Sequence, residues 1–311
     1  MVEMKSNRCI KKIIINFLYK SSLAMSIVFL LFSVYLNISN YVSDSTILTE
    51  TDVYAADEQS VISGSFSSMN FHTVPPKLNE IYDEKIAKIN NLHDFKRLVD
   101  YEIQKHNFEG IDIPIYIDDI VRRKYFHHTA YISADTNWIL KGADYFFPEF
   151  FFLGAMDPKD LIKKNHGSCS QQSIIFQEFI KDYKFEYASI DLNIKIPNQI
   201  NFGHFVSAVK VGGDWFYFDS NLEPAYDRKN ALIVKKVLEA DKEILKKLYP
   251  QYNFDLLTKG MIYMKELNRF PAKRGVMFQK ITQFLSNFSW LVFLIFSFLL
   301  RSTIQKKDRE G

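Results

Sequence analysis

Two uncharged apolar runs near the ends of the 311-residue chain place the strongest constraint on its fold. Ser21–Ile38 contains 18 residues and Ile281–Leu300 contains 20, and Arg301 ends the second run. A helix over either run is long enough to cross a hydrocarbon core about 30 Å thick. We therefore predict transmembrane helices at 21–38 and 281–300, with the rest of the fold between them.

The distribution of basic residues orients the first span. Five basic residues precede it, whereas no Lys or Arg lies between its end and Lys77. The positive-inside rule then places residues 1–20 in the cytoplasm, the middle of the chain outside it, and the tail at 301–311 back in the cytoplasm. A cleaved signal peptide has the same pattern, but the Ala55-Ala56 site lies too far from Leu36, so we favour an uncleaved anchor.

The chain has two cysteines, Cys9 and Cys169, and this topology puts the membrane between them. We therefore expect no internal disulfide. A free thiol is unusual in an oxidising compartment, which favours a functional role for Cys169. The net charge of +3 comes from dispersed basic residues, so nucleic acid is not an expected partner.

Cys169 is predicted to be the first residue of a helix that extends to about Tyr183. Ser168 and Gln171 have the spacing of a capping box, and apolar residues then recur every three or four positions. The positive end of such a helix favours a thiolate, and the amides of Cys169 and Ser170 are candidates for holding an oxyanion. Three side chains are further oxyanion or substrate-binding candidates, among which the sequence does not choose: Asn165, Gln171 and Gln172.

His204 and Asp219 lie on either side of Gly212-Gly213, between two β-rich runs that predict a hairpin. If Val211 pairs with Asp214, then His204 and Asp219 are diagonal neighbours on one face of the hairpin. A three-residue turn would separate them. A thiol, an imidazole and a carboxylate are the groups that thiol-based acyl transfer requires.

Three segments resemble the transglutaminase-like superfamily of papain-type cysteine enzymes: 167–172, 203–206 and 213–219. The resemblance covers about residues 110–270 and is closest over 165–222. It implies that Cys169 is the nucleophile, His204 the base and Asp219 the residue that orients the base. It also implies an α+β, papain-like core at 77–270, with the cysteine helix against an antiparallel sheet that includes strands at 185–194 and 260–267.

The remaining segments give weaker predictions. Residues 39–76 are rich in Ser, Thr, Asp and Glu and predict an extended extracytoplasmic linker, and 231–248 predicts an amphipathic helix. The aromatic stretch 145–153 is interpreted as core packing under the cysteine helix. The alternative is a membrane-facing lip or apolar wall of a substrate groove that Trp138 also lines.

The sequence thus predicts a membrane-anchored cysteine enzyme that acts on an amide, peptide or ester carbonyl through a thioester. Hydrolysis and acyl transfer both remain open, and an envelope protein, peptide or glycan is the expected substrate. No cofactor or metal is expected, because His127, His128 and His166 lack partners at the spacing of a zinc site. The alternative hypothesis is a noncatalytic binding or assembly module. A redox role for the thiol is disfavoured, because a resolving cysteine is missing.

Overall fold

The computed structural model describes residues 2–43, 82–127, 129–133, 136–147, 152–194, 202–221, 243 and 262–309. In these ranges the chain combines helices with an antiparallel sheet, which confirms the predicted α+β class. The helices are α1 (Val2–Ser43), α2 (Glu84–Ala87), α3 (Leu92–His106), α4 (Asp112–Lys124), α5 (Trp138–Phe146), α6 (Pro158–Leu161), α7 (Cys169–Asp182) and α8 (Lys273–Arg309). The strands are β1 (Phe126–His127), β2 (His166–Gly167), β3 (Glu186–Ile194), β4 (Phe202–Val211), β5 (Asp214–Phe218) and β6 (Ile262–Met264).

The chain divides into two compact units. A helical unit contains α1, α5 and the part of α8 from Met277 onward. A mixed unit contains α2 to α4, α6, α7 and all six strands. The segment 132–153 therefore belongs to the helical unit, although it falls inside the range 77–270 predicted for the enzyme domain.

In the helical unit, α1 and α8 pack as an antiparallel pair joined by serine hydroxyls. Ser22 Oγ lies 2.6 Å from Ser297 Oγ. Further along α1, Ser26 Oγ donates to Trp290 O at 2.9 Å and Ser33 Oγ donates to Asn287 O at 2.8 Å. Small polar residues let helices approach closely in membranes, where such hydrogen bonds have no competition from water. The described ends of α1 and α8, at 2 and 309, thus lie at the same end of the pair.

Both long helices are apolar and long enough to cross a membrane, with candidate spans at 13–35 and 273–306. The first candidate begins before the predicted 21–38 because Lys20 is tolerated within an otherwise apolar stretch. Most apolar side chains on these helices are exposed in the isolated protein, including Leu31 and Phe284. Such a surface is suited to lipid rather than water, which supports membrane association.

The mixed unit is built around a four-stranded antiparallel sheet with strand order β5-β4-β3-β6. The predicted hairpin between β4 and β5 is confirmed, because Val211 pairs with Asp214 across a two-residue turn. Gly212 and Gly213 have φ of 59° and 96°, a region that glycine reaches without steric cost. The predicted strands 185–194 and 260–267 correspond to β3 and, over three residues, to β6.

Helix α7 packs on the sheet and is buried along most of its length. The Phe176 ring lies 5.3 Å from that of Phe218 on β5, and Ser173 Oγ donates to Phe205 O on β4 at 3.1 Å. Gln177 Nε2 donates to the hydroxyls of Ser189 and Ser207 at 3.1 and 2.9 Å. This polar contact between helix and sheet fixes their relative register.

Three further predicted segments are described only in part: the aromatic stretch 145–153, the linker 39–76 and the helix 231–248. Among the described residues of the aromatic stretch, Tyr145, Phe146 and Phe147 do not pack under α7, because they are largely exposed and belong to the helical unit. They form the end of α5 and the residue after it, and the start of α5 contacts α8 instead. Residues 44–76 of the predicted linker and most of the predicted helix 231–248 lie outside the described residues.

Candidate active site

A buried histidine–aspartate pair occupies the position that the hairpin argument predicted. His204 Nε2 lies 2.7 Å from Asp219 Oδ2, and the two side chains are 2% and 1% exposed. Asp219 Oδ1 also accepts a hydrogen bond from the backbone amide of Asn221 at 2.9 Å. The carboxylate is therefore held from both oxygens, one by the imidazole and one by its own turn.

The strand register explains why these two side chains meet. In β4 and β5, the pairing extends from Ser207 with Phe218 to Val211 with Asp214. Asp219 directly follows β5, so it falls opposite Val206. Side chains two residues apart share a face, so His204 is the diagonal neighbour of Asp219. The sequence prediction of the pair is thus confirmed through its turn.

Cys169 is the first residue of α7, as predicted, and its side chain is partly exposed. The first amides of a helix have no intrahelical acceptor, so those of Cys169 and Ser170 point out of the N-terminus. Ser173 and Gln177 contact β4 at Phe205 and Ser207, so α7 runs in the direction of β4. Cys169 lies one helical turn, about 6 Å, before Ser173, on the side of α7 toward the beginning of β4.

Gln171 makes four hydrogen bonds with the backbone around the start of α7, and an oxyanion role for it stays a prediction. Its Oε1 accepts from the amides of Ser168 and Ala130 at 3.0 and 2.8 Å. Its Nε2 donates to the carbonyls of Ala130 and Ala155 at 2.8 and 2.9 Å. Because both amide hydrogens are engaged and the side chain is buried, Gln171 clasps the start of α7 to two neighbouring segments. The hydrogen bond from the Ser168 amide to Gln171 is one of the two bonds of the predicted capping box.

The two other amide candidates are also buried. Gln172 Nε2 donates to Gly167 O at 2.8 Å, within the turn before α7. Asn165 Nδ2 donates to Tyr82 Oη at 3.4 Å, and its Oδ1 lies 3.1 Å from Nδ1 of His166. These contacts give both amides a role in shaping the turn that precedes Cys169. An oxyanion role for either stays a prediction.

Trp138, predicted to line a substrate groove, belongs to the helical unit. Its Nε1 donates to Ser286 O at 2.9 Å, and its ring stacks on Phe29 at 5.5 Å. The structure therefore uses Trp138 to join α5 to the apolar helices. Within the mixed unit it brings together His204 and Asp219, with the start of α7 packed beside their strand.

A second carboxylate, which the sequence analysis missed, lies behind the pair. Asp118 of α4 is buried and accepts a hydrogen bond from Ser220 Oγ at 2.7 Å. Burial raises the pKa of the Asp118 carboxyl to about 7; the Ser220 hydrogen bond and Arg122 oppose this rise, and Asp219 adds to it. Asp118 thus connects α4 to the turn that presents Asp219.

A sequence signal for Asp118 existed. α4 buries Pro114, Ile117 and Val121, and Asp118 lies inside this stripe rather than on the charged face. An acidic residue within an apolar helix stripe is a buried-group candidate, because isolated charge is costly in a protein interior. The partner Ser220 is about a hundred residues away, so its identity required the fold.

Metal chemistry finds no support among the described residues, which contain no cluster of three or more His, Cys, Asp or Glu side chains able to hold an ion. His166 lies on β2 and is buried, with Asn165 beside its ring. No family model matches the chain, and no curated protein or solved structure matches it either. We therefore infer function from the geometry of the site.

Proposed function

We propose that the protein is a membrane-anchored cysteine enzyme of transglutaminase-like type, in which Cys169, His204 and Asp219 form a catalytic triad. The observation that carries the proposal is the buried 2.7 Å contact between His204 and Asp219. A surface histidine gains little from such a contact, whereas an orienting carboxylate is what a catalytic imidazole requires. The position of Cys169 at the start of α7 adds the third group.

The proposed chemistry follows from which imidazole nitrogen faces the carboxylate. Nε2 faces Asp219, so proton exchange with the thiol uses Nδ1. The thiolate of Cys169 attacks the substrate carbonyl, an S–C bond forms, and the amine or alcohol departs with the proton from His204. Water or an acceptor nucleophile then gives its proton to His204, attacks the thioester and releases Cys169.

The geometry sets a requirement for this reaction. Ser207 points toward Gln177 of α7, and alternate residues of a strand point to opposite faces. His204 therefore shares its face with Val206, not with Ser207. The proposed reaction therefore requires the thiol to meet the imidazole around the beginning of β4 rather than across the contact between helix and sheet.

We also propose that the mixed unit lies outside the cytoplasm. The basic residues before the first span favour a cytoplasmic location for that segment. The antiparallel pairing of α1 and α8 supports it, since the segment after the second span then lies on the same side as the first. Residues between the spans face the other compartment, where envelope amides and esters are the available substrates.

The test is alkylation of the full-length protein with iodoacetamide at pH 6, in a Cys9→Ser background so that only Cys169 reacts. An imidazole that takes the proton of the thiol leaves a thiolate, which is the form that iodoacetamide alkylates. We expect His204→Ala to lower the alkylation rate at pH 6 at least several-fold while leaving the rate at pH 9 similar.

His93→Ala provides a matched control, because His93 is an exposed histidine of the same unit. It should leave the alkylation rate unchanged at both pH values. Equal rates at pH 6 in the parent and in His204→Ala would overturn the triad. A noncatalytic binding module that happens to share this fold would then be the better interpretation.

A further inference from the structure

The helical unit contains a third apolar element besides its two long helices. α5 has only two charged residues, Lys141 and Asp144, and it ends in two aromatic residues that Phe147 follows directly. Tyr145, Phe146 and Phe147 are 82%, 74% and 63% exposed. Such exposure of adjacent large rings is not expected of a surface in contact with water.

The beginning of α5 is fixed to α8 by several buried polar contacts. Asn137 Nδ2 donates to Gln279 O at 3.1 Å and to Thr282 Oγ1 at 2.7 Å. The amide of Ile139 donates to Ser286 Oγ at 3.1 Å. Asn137 also caps α5, since its Oδ1 accepts from the amide of Leu140 at 3.2 Å. α5 is therefore anchored to α8 rather than loosely tethered.

These contacts place α5 at a definite level of the apolar pair. The second apolar run begins at Ile281, so Gln279 and Ser286 lie on either side of its start. With a rise of about 1.5 Å per residue, Ser286 is about 8 Å inside the apolar run. The Trp138 ring stacks on Phe29, which lies within the apolar run of α1 and stacks in turn on Phe293 at 5.2 Å. The start of α5 thus reaches from Gln279, just before the second apolar run, into the interior of the apolar pair at Ser286 and Phe29.

We propose that α5 is an interfacial helix whose aromatic tip, defined as 145–147, inserts into the bilayer leaflet that holds the Gln279 end of α8. Aromatic residues are favoured at the boundary of headgroups and acyl chains, and apolar helix faces bind there without spanning. The tip belongs to the same compact unit as α1 and α8, whose apolar side chains are also largely exposed. The occupant of this surface is lipid, and the protein contacts its membrane through three elements.

The test places a nitroxide label on the tip of the full-length protein in vesicles of phosphatidylcholine and phosphatidylglycerol. The label is attached at Phe146→Cys in a Cys9→Ser, Cys169→Ser background. Its collision rates with oxygen, which partitions into lipid, and with a water-soluble nickel chelate are then compared. We expect the ratio of oxygen to nickel collisions to be several-fold higher at Phe146 than at a water-exposed site.

Two labelled sites calibrate the measurement. Leu31→Cys is in the middle of α1 at a position 65% exposed, and Tyr101→Cys is on α3 of the mixed unit at a position 59% exposed. The tip should resemble Leu31, with a shallower depth. A label that behaves like Tyr101 would overturn the proposal, and so would one shielded from both quenchers, which would indicate a protein partner or a second copy.

A second measurement leaves the tip unaltered. With Trp215→Phe and Trp290→Phe, Trp138 is the remaining tryptophan, and brominated lipids quench tryptophan only at short range. We expect strong quenching by lipids brominated near the headgroup end of the acyl chain. Absence of quenching would contradict the placement of α5 at the interface. Neither measurement depends on Cys169 or His204, so a failed triad leaves this proposal standing.

Discussion

Oδ2 of Asp219 contacts Nε2 of His204 at 2.7 Å, while Oδ1 of the same carboxylate is held by the amide of Asn221. The pair is almost fully buried, yet the two residues come from adjacent ends of one hairpin. The hairpin therefore supplies the geometry and the surrounding unit supplies the burial. A local turn and a nonlocal core are both needed to make this contact.

The first prediction concerns the coupling energy of this pair. In a double-mutant cycle of His204→Ala and Asp219→Ala, we expect a coupling of about 1.5 to 3 kcal/mol, because a charged hydrogen bond shielded from water is stronger than an exposed one. Denaturant unfolding of the four proteins in detergent micelles measures it. The matched control is the exposed cross-strand pair Lys210 and Glu186, 3.2 Å apart, whose coupling should be about 0 to 1 kcal/mol. Equal couplings would contradict the claim.

The second prediction concerns the pH dependence of stability through Asp118. Its pKa is raised to about 7 in the folded protein, so between its ordinary pKa and about 7 the folded state binds more protons than the unfolded state. Stability therefore falls as pH rises through this window. Asp118→Asn keeps an acceptor for Ser220 and removes the ionisation, so it should become more stable relative to the parent as pH rises, by up to about 4 kcal/mol.

Thermal unfolding of Asp118→Asn and of the parent at about four pH values between pH 4 and pH 8 measures the difference in their stability. Asp214→Asn is a matched substitution at an exposed position of the hairpin turn and should follow the parent curve. A constant difference between Asp118→Asn and the parent across the whole range would show that Asp118 does not titrate in this window.

The third prediction concerns the clasp made by Gln171. Gln171→Ala leaves three buried backbone groups without their partner, the amide and carbonyl of Ala130 and the carbonyl of Ala155, and also the part-buried amide of Ser168. Unsatisfied buried groups are costly, so we expect a loss of about 2 to 4 kcal/mol in the free energy of unfolding. Gln104→Ala, on the exposed face of α3, should change stability by less than about 0.5 kcal/mol. Similar losses for both variants would rule out the clasp.

The substitution Gln171→Glu distinguishes a structural role of Gln171 from a role as an oxyanion donor. If it were the oxyanion donor, Gln171→Glu would retain the side-chain shape and lose only catalysis. In the structure, both of its amide hydrogens donate to carbonyls, so a carboxylate there faces two acceptors. We therefore expect Gln171→Glu to be less stable than Gln171→Ala, which denaturant unfolding of the two variants can decide.

The sequence was most informative where one short turn determines the geometry. The two glycines at 212 and 213 set the strand register, and the register set the neighbours of His204. The start of α7 was likewise readable, because Ser168 and Gln171 act within one turn. Local rules of this kind need no knowledge of the rest of the chain.

The sequence was least informative where a partner lies far along the chain. Trp138 and the aromatic residues after it are close to Cys169 in sequence, which suggested a shared groove. Polar contacts of Asn137 and Trp138 with residues of α8 some 140 positions along the chain place this segment in the helical unit instead. Asp118 and Ser220 are a second example, because the sequence of α4 does not indicate which distant residue Asp118 contacts.

In the proposed reaction, Cys169 is the nucleophile that becomes acylated, and His204 activates it. Exposure of the Cys9→Ser protein to p-nitrophenyl acetate, with the intact mass determined before and after hydroxylamine, tests this most directly. We predict one acetyl group on Cys169 that hydroxylamine removes, with much slower acylation in His204→Ala. Absence of the adduct, or equal acylation of both proteins, would contradict the proposed role of Cys169.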